Sequence, residues 1–295
     1  MRIEPLRAGF GATIQGIDPA READASLRAA LQDAIDRHAV LVFPGQRLDT
    51  EGQLRFSRIF GELQPTLAAR RDGAAAAGPR EVGSIGNVDA LGRTVGAGER
   101  QRILQLSNLL WHTDEAFSVD RGRYTFLSAH VVPPEGGATQ FVDMRAAFSA
   151  LPVREQNRLL LLRVRHSLAQ SRRLAGTPAL AALEEDRFPA VWHPLVHAAA
   201  DGRLALYLAS YACAIEGWND DDARREIDRL MAAATRPELV LEHRWREGDL
   251  VMWDNFCTMH RGTPFDDQHH RRQLRRTTVS ESGARARRTA LTAAA

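Results

Sequence analysis

WHTDEAFSVDRGRYTFLSAHVVPP, residues 111 to 134, decides how the rest of the chain is read. Its second half contains YTFLSAHVV (124 to 132), a strand rich in aromatic and β-branched residues that Pro133-Pro134 stops. Its first half carries His112 and Asp114, two residues apart. On an extended segment both side chains leave the same face and can converge on one ion, which is metal-ligand spacing. An H-x-D pair arises by chance on many polar strand faces, so its neighbours must decide what it does.

Working outward, GGATQFVDM (136 to 144) is a further strand entered through a paired-glycine turn, and LALYLAS (204 to 210) is a buried strand. EHRWREGDLVMWDN (242 to 255) reads as a strand pair or one bent strand around Gly248, and Arg271 to Thr278 as the last strand. Upstream, GFGATIQGI (9 to 17) opens the chain as a strand and AVLVF (39 to 43) is buried. Helical spacing runs from Asp24 to Arg37, where Leu27, Leu31, Ala34 and Ile35 share a stripe. A short helix follows from Thr50, with Thr50 and Gln53 as a capping box; others cover 149 to 163, capped by Ser149, and 219 to 234. Residues 164 to 190 read as polar and irregular. Between Gln64 and Gln101 the period dissolves, although VGSIGNVDALGR can form one strand and a turn; a connection of that length is functional or disordered, and a lid over 64 to 101 is expected. Many short strands with helical insertions and no strand-helix alternation predict a mostly β fold, a two-sheet jelly roll. One domain over residues 1 to 280 is expected, with the arginine-rich 281 to 295 as a disordered tail.

The 295 residues, 44% hydrophobic, suffice for a full core without disulfides. With 39 basic against 37 acidic side chains the net charge is only +2, which points to neither nucleic acid nor an anionic membrane. Cys213 and Cys257 are too few for a disulfide framework or a thiolate metal site, and no apolar run is long enough to span a bilayer. A cytoplasmic, soluble protein is expected; no segment specifies or forbids a homo-oligomer.

His260 lies just past the Asp254-Asn255 turn, and a jelly roll can bring it to the earlier H-x-D. Two imidazoles and one carboxylate on one face of an ion form the facial triad of non-haem Fe(II) oxygenases. On the last strand Arg272, Leu274, Arg276 and Thr278 share a face under period two. If that face lines the interior, its guanidiniums require anions. If it faces solvent, only Leu274 points inward.

WHTDEAF, RYTFLSAHVVPPEGGATQFVDMRAAFSALP, HRWREGDLVMWDNFCTMHRG and RRQLRRTT resemble the TauD/TfdA family, the taurine/2,4-dichlorophenoxyacetate group of Fe(II)- and 2-oxoglutarate-dependent oxygenases. The likeness spans nearly the whole chain, is nearer the phenoxyacetate-type branch, and implies a double-stranded β-helix. It further implies that His112, Asp114 and His260 ligate iron and that Thr139 and Arg272 hold 2-oxoglutarate. Arg276, Asn108 and Phe117 match substrate positions. The interval from His260 to Arg272 is one residue longer than the family pattern, so Arg271 is a rival to Arg272; the R-R-T-T anchor and the face shared with Arg276 favour Arg272. The implied reaction uses O2 and 2-oxoglutarate, releases succinate and CO2, and hydroxylates a small organic anion, aryloxyalkanoate-like or another carboxylate. A sulfonate, a sulfate ester or an amino-acid-derived acid is the alternative substrate. A zinc hydrolase and a metal-free binding protein are the rival classes. Asp114 argues against a halogenase, whose relatives replace that carboxylate.

Overall fold

A computed structural model describes residues 1–21, 24–72, 79–89, 92–96 and 98–293. Its strands are β1 (Arg2–Arg7), β2 (Phe10–Gln15), β3 (Val40–Phe43), β4 (Gly83–Gly86), β5 (Gly122–Val131), β6 (Thr139–Asp143), β7 (Arg163–His166), β8 (Val191–Pro194), β9 (Val196–Ala198), β10 (Leu204–Leu206), β11 (Ala212–Ile215), β12 (Val240–His243), β13 (Leu250–Asp254), β14 (Thr258–Gly262) and β15 (Gln273–Ser280). The main sheet runs β1-β2-β3-β13-β5-β15-β4, and a second sheet runs β12-β6-β14. Among the described residues only β2 and β3 pair in parallel in these two sheets. This is the jelly roll expected from the strand pattern.

Alternation along the central strands explains the layering. Val251 and Trp253 of β13 join Leu127, Ala129 and Leu274 of the main sheet against Phe141 and Met259 of the second sheet. Leu250 and Met252 face the other way, with Leu41, Phe43 and Phe126, onto the helices Ala25–His38 and Thr50–Arg58. All of β13 is therefore buried, as a strand covered on both faces must be. Each large apolar side chain buried here contributes roughly 1.5–3 kcal/mol.

Several local readings change. Asp49, not Thr50, caps the second helix by accepting from the Gly52 amide at 2.7 Å. Gln53 instead donates to the Arg275 carbonyl at 2.9 Å and accepts from the Ser128 hydroxyl at 2.7 Å, because a buried amide must find its partners in the sheet. The 149–163 helix is two pieces, Met144–Ser149 and Val153–Leu159, interrupted at Pro152; Ser149 ends the first piece and Asp143 caps it. Residues 164 to 190 contain β7 and the helices Leu168–Leu174 and Pro178–Glu185, each too short to show a clear period. The strand read over 204 to 210 is ordered as β10 only for Leu204–Leu206.

The expected disordered tail is instead the helix Glu281–Ala293. Its arginines are structural: Arg287 reaches the Ile59 carbonyl at 3.2 Å and Arg288 pairs with Asp36 at 2.9 Å. Glu281 pairs with Arg121 at 2.9 Å. A Cβ on Gly61 would lie 2.6 Å from the Gly283 backbone, so only glycine permits this docking. Charge density along the chain hides these distant partners. Among the described residues no helix is long and apolar enough to cross a membrane.

His166, His193 and His197 surround Tyr207, with ring centroids 4.9–5.7 Å apart. Burial pushes His166 down to about 3 and the other two to about 4. Folded, they stay neutral; unfolded, they protonate near 6.5. Their stabilising effect is therefore complete above about pH 6.5 and is lost as pH falls towards 4. Urea unfolding of the metal-free protein should show a steep loss of stability below pH 6.5. Each such histidine adds up to about 1.4 kcal/mol per pH unit. His166→Phe should remove one proton's worth of that slope; an unchanged slope would mean His166 is not held neutral.

Candidate metal and 2-oxoglutarate site

His112 lies just before β5 and forms a two-bond bridge with His260 of β14: His112 N–H donates to the His260 carbonyl at 2.9 Å and the reverse bond is 2.8 Å. This bridge brings residues far apart in sequence side by side. Asp114 follows at the turn into β5, and ligand atoms of all three side chains lie within 4.8 Å of one another. His112 Nε2 is 3.9 Å from Asp114 Oδ1, and His260 Nε2 is 3.6 Å from Oδ2. His112 Nδ1 meets the Leu110 carbonyl at 2.7 Å, which fixes the proton there and leaves the Nε2 lone pair free.

Electrostatics prepares the same state. Burial drives His112 down and His260 to about 3, so both imidazoles are neutral donors. Burial would raise Asp114, but His260, Arg276, His112 and the Thr125 hydroxyl outweigh it and hold the carboxyl at about 2. Thr125 donates to Oδ2 at 2.8 Å, and Asn255 supports both by accepting from the Asp114 amide at 3.2 Å and donating to Thr125 at 2.9 Å. Trp253 in turn donates to Asn255 at 3.0 Å. Two neutral imidazoles and one ionised carboxylate, buried and oriented, fit a divalent cation. Asn255 and Thr125 carry no local sequence signal for this role; only the fold joins them to Asp114.

A cavity of about 160 Å³ opens from the histidines and is lined also by Thr139, Trp253, Arg272 and Arg276. Arg272 is 7% exposed and forms no ion pair with a carboxylate among the described residues; its Nε donates to the Gly137 carbonyl at 3.1 Å. Burial alone lowers it to about 10. A buried guanidinium without a counter-ion fits an anionic ligand, as the distal carboxylate of 2-oxoglutarate would be. Asn87 accepts from the Arg272 amide at 2.8 Å and holds the preceding turn through the Asp267 and His270 carbonyls. Arg271 is exposed and reaches the Gly92 carbonyl. Trp245 donates to Thr139 Oγ1 at 3.0 Å, a support that sequence reading missed.

Arg276 is already paired: it donates to Asp114 Oδ1 at 3.0 Å. The anion that this strand face was expected to require is thus, at Arg276, already supplied by a protein carboxylate. That partner is not Asp254, which pairs with Arg123 at 2.7 Å. Arg276 also lines a second cavity of about 580 Å³ with Asn108, Phe117, Tyr211, Arg172 and Asp114. Asn108 borders both cavities. The 64–101 segment contributes Leu67, Arg71 and Ser84 to the larger one, while its residues 73–78, 90, 91 and 97 lie outside the described residues.

A family model described as taurine catabolism dioxygenase TauD, TfdA family matches residues 2–278. The chain is 38% identical over 277 residues to the alpha-ketoglutarate-dependent 2,4-dichlorophenoxyacetate dioxygenase of Cupriavidus pinatubonensis, covering 93% of this chain and 96% of that one. It is 34% identical over 273 residues to the (S)-phenoxypropionate/alpha-ketoglutarate-dioxygenase of Sphingobium herbicidovorans, covering 90% of each. The crystal structure of AAD-2 in complex with Mn(II) and N-oxalylglycine superposes with a TM-score of 0.86 at 32% identity, over 95% of this chain and 98% of the other.

Proposed function

The chain belongs to the TauD/TfdA family of dioxygenases, and from that premise we propose that it hydroxylates a small aryloxyalkanoate-type carboxylate. It is an Fe(II)- and 2-oxoglutarate-dependent oxidoreductase. The observation that carries the reading is Arg272, a buried cation without a carboxylate partner among the described residues, in one cavity with two histidines of a His-Asp-His cluster.

His112, Asp114 and His260 would hold the iron, and Arg272 with Thr139 the far carboxylate of 2-oxoglutarate. When bound, and with O2 as oxidant, these groups would supply oxidative chemistry that converts 2-oxoglutarate to succinate and CO2, one oxygen atom entering succinate and the other the substrate. The protein's part is placement. Thr125 and Asn255 orient the Asp114 carboxylate, and the Leu110 carbonyl orients His112. Arg276 gives one N–H to Asp114 and retains further donors for a substrate acid, whose skeleton would lie along Asn108 and Phe117. The described parts of the 64–101 segment that line the larger cavity would serve as a lid that keeps water from the reacting atoms. A cytoplasmic setting is supported by two free cysteines.

The test is succinate release under oxygen, with and without added Fe(II), across aryloxyalkanoates, sulfonates, sulfate esters and amino-acid-derived acids. An aryloxyalkanoate should turn over fastest, and its methyl ester at least about tenfold slower, the loss of one charge-assisted hydrogen bond. Equal rates for acid and ester would sink the anion pairing at Arg276, and a faster sulfonate or sulfate ester would replace the substrate class.

A further inference from the structure

Glu115, the residue after the ligand Asp114, has a left-handed backbone at φ 58°. A side chain other than glycine, asparagine or aspartate takes that conformation rarely, so something must hold it. Glu115 is 7% exposed, and its carboxylate forms an ion pair with Arg70. Ser118 closes the triangle: its hydroxyl donates to Glu115 at 2.9 Å and accepts from Arg70 at 3.3 Å. The Arg70 guanidinium also lies over the rings of Phe117 and Phe188, 6.0 and 5.9 Å from their centroids. Packing on two rings with a buried partner separates this pair from a solvated surface bridge, which contributes little.

Arg70 belongs to the helix Leu67–Asp72, whose Leu67, Ala68 and Arg71 line the larger cavity together with Glu115 and Phe117. The turn is seated closely on β5 as well: a Cβ on Gly122 would meet the Asp114 carbonyl at 3.2 Å and Glu115 Cβ at 3.4 Å. A single ion pair therefore joins the wall of the substrate cavity to the turn that presents a metal ligand. We propose that Arg70 is a positioning residue of the metal centre, which through Glu115 holds the left-handed turn so that Asp114 completes the ligand set only while the 67–72 helix is docked. This rests on the metal reading above. Outer partners that orient ligands commonly set metal affinity by 10–100-fold.

The experiment is a titration of the full-length metal-free protein with Mn(II) alone, followed by the electron paramagnetic resonance of free Mn(II). Arg70→Ala and Glu115→Ala should each weaken binding about tenfold. Combining them should weaken it no further, since both remove one interaction. Arg70→Lys keeps the charge and should recover part of the loss. Glu115→Gly is the decisive variant: glycine accepts positive φ without help, so it should bind Mn(II) within about threefold of wild type. A merely structural pair would not spare glycine over alanine. Binding by Arg70→Ala and Glu115→Ala within twofold of wild type would overturn the positioning role alone, whereas no binding by wild type would overturn the metal reading with it.

Discussion

Asp114→Ala is expected to abolish hydroxylation, lowering turnover by about a thousandfold or more, the equivalent of roughly 4 kcal/mol of lost transition-state stabilisation. The substitution removes the anionic member of the His-Asp-His cluster. It also strands three groups that converge on that carboxylate: the Arg276 guanidinium, the Thr125 hydroxyl and, through Thr125, the Asn255 amide. Residual metal binding by His112 and His260 is compatible with this outcome, because two imidazoles remain. The measurement is product formation from the best substrate of the succinate screen, with circular dichroism to establish that the variant is folded. Wild-type turnover by a folded Asp114→Ala protein would refute the ligand assignment.

The second large effect is expected at Arg272. Arg272→Ala should raise the 2-oxoglutarate requirement by roughly 30-fold to several thousandfold, the range that follows from losing one side of a buried charge pair worth about 2–5 kcal/mol. Arg271→Ala should change it no more than a few fold, since that side chain is exposed and contacts a backbone carbonyl. Stability should move the other way. Without cosubstrate, wild type holds a buried cation that forms no ion pair among the described residues, and alanine removes that cost. Arg272→Ala should therefore melt at or above the wild-type temperature in the absence of 2-oxoglutarate and gain little when it is added. A larger 2-oxoglutarate defect in Arg271→Ala would move the assignment by one residue.

The jelly roll was legible in the chain because aromatic and β-branched runs bounded by proline or glycine mark short buried strands such as β5 and β6 locally. Spacing alone paired His112 with Asp114; His260 joined them only through the jelly-roll expectation and the family resemblance, and the backbone bridge between His112 and His260 was not legible. Counting from His260 could not decide between Arg271 and Arg272. The turn before β15, held by Asn87, sets which arginine points inward, and Asn87 lies 185 positions from Arg272. The same distance problem hid Asn255 and Thr125 behind Asp114, Trp245 behind Thr139, and the docking of the C-terminal helix on Gly61. Short-range signals failed where a nearer competitor existed: Asp49 outcompeted Thr50 as cap once Gln53 was drawn into the sheet.

The two cavities differ in what builds them. The smaller takes Leu127, Thr139, Trp253 and His260 from strands of both paired sheets, beside Arg102 and Gln105 of a helix and the 263–267 connection, whereas the larger, among the described residues, has no residue of the second sheet and takes Leu67, Leu104, Leu168 and Tyr211 from helices and connections. Strand residues are fixed by register, and shifting one reverses the facing of its neighbours. Connections tolerate substitution and insertion far more readily. Substitution can thus rework the wall of the larger cavity while leaving the strand-built part of the smaller one intact. If the proposed division holds, a changed substrate would leave the 2-oxoglutarate requirement unchanged. Asn108 and Arg276, which border both compartments, are where such drift would meet its limit.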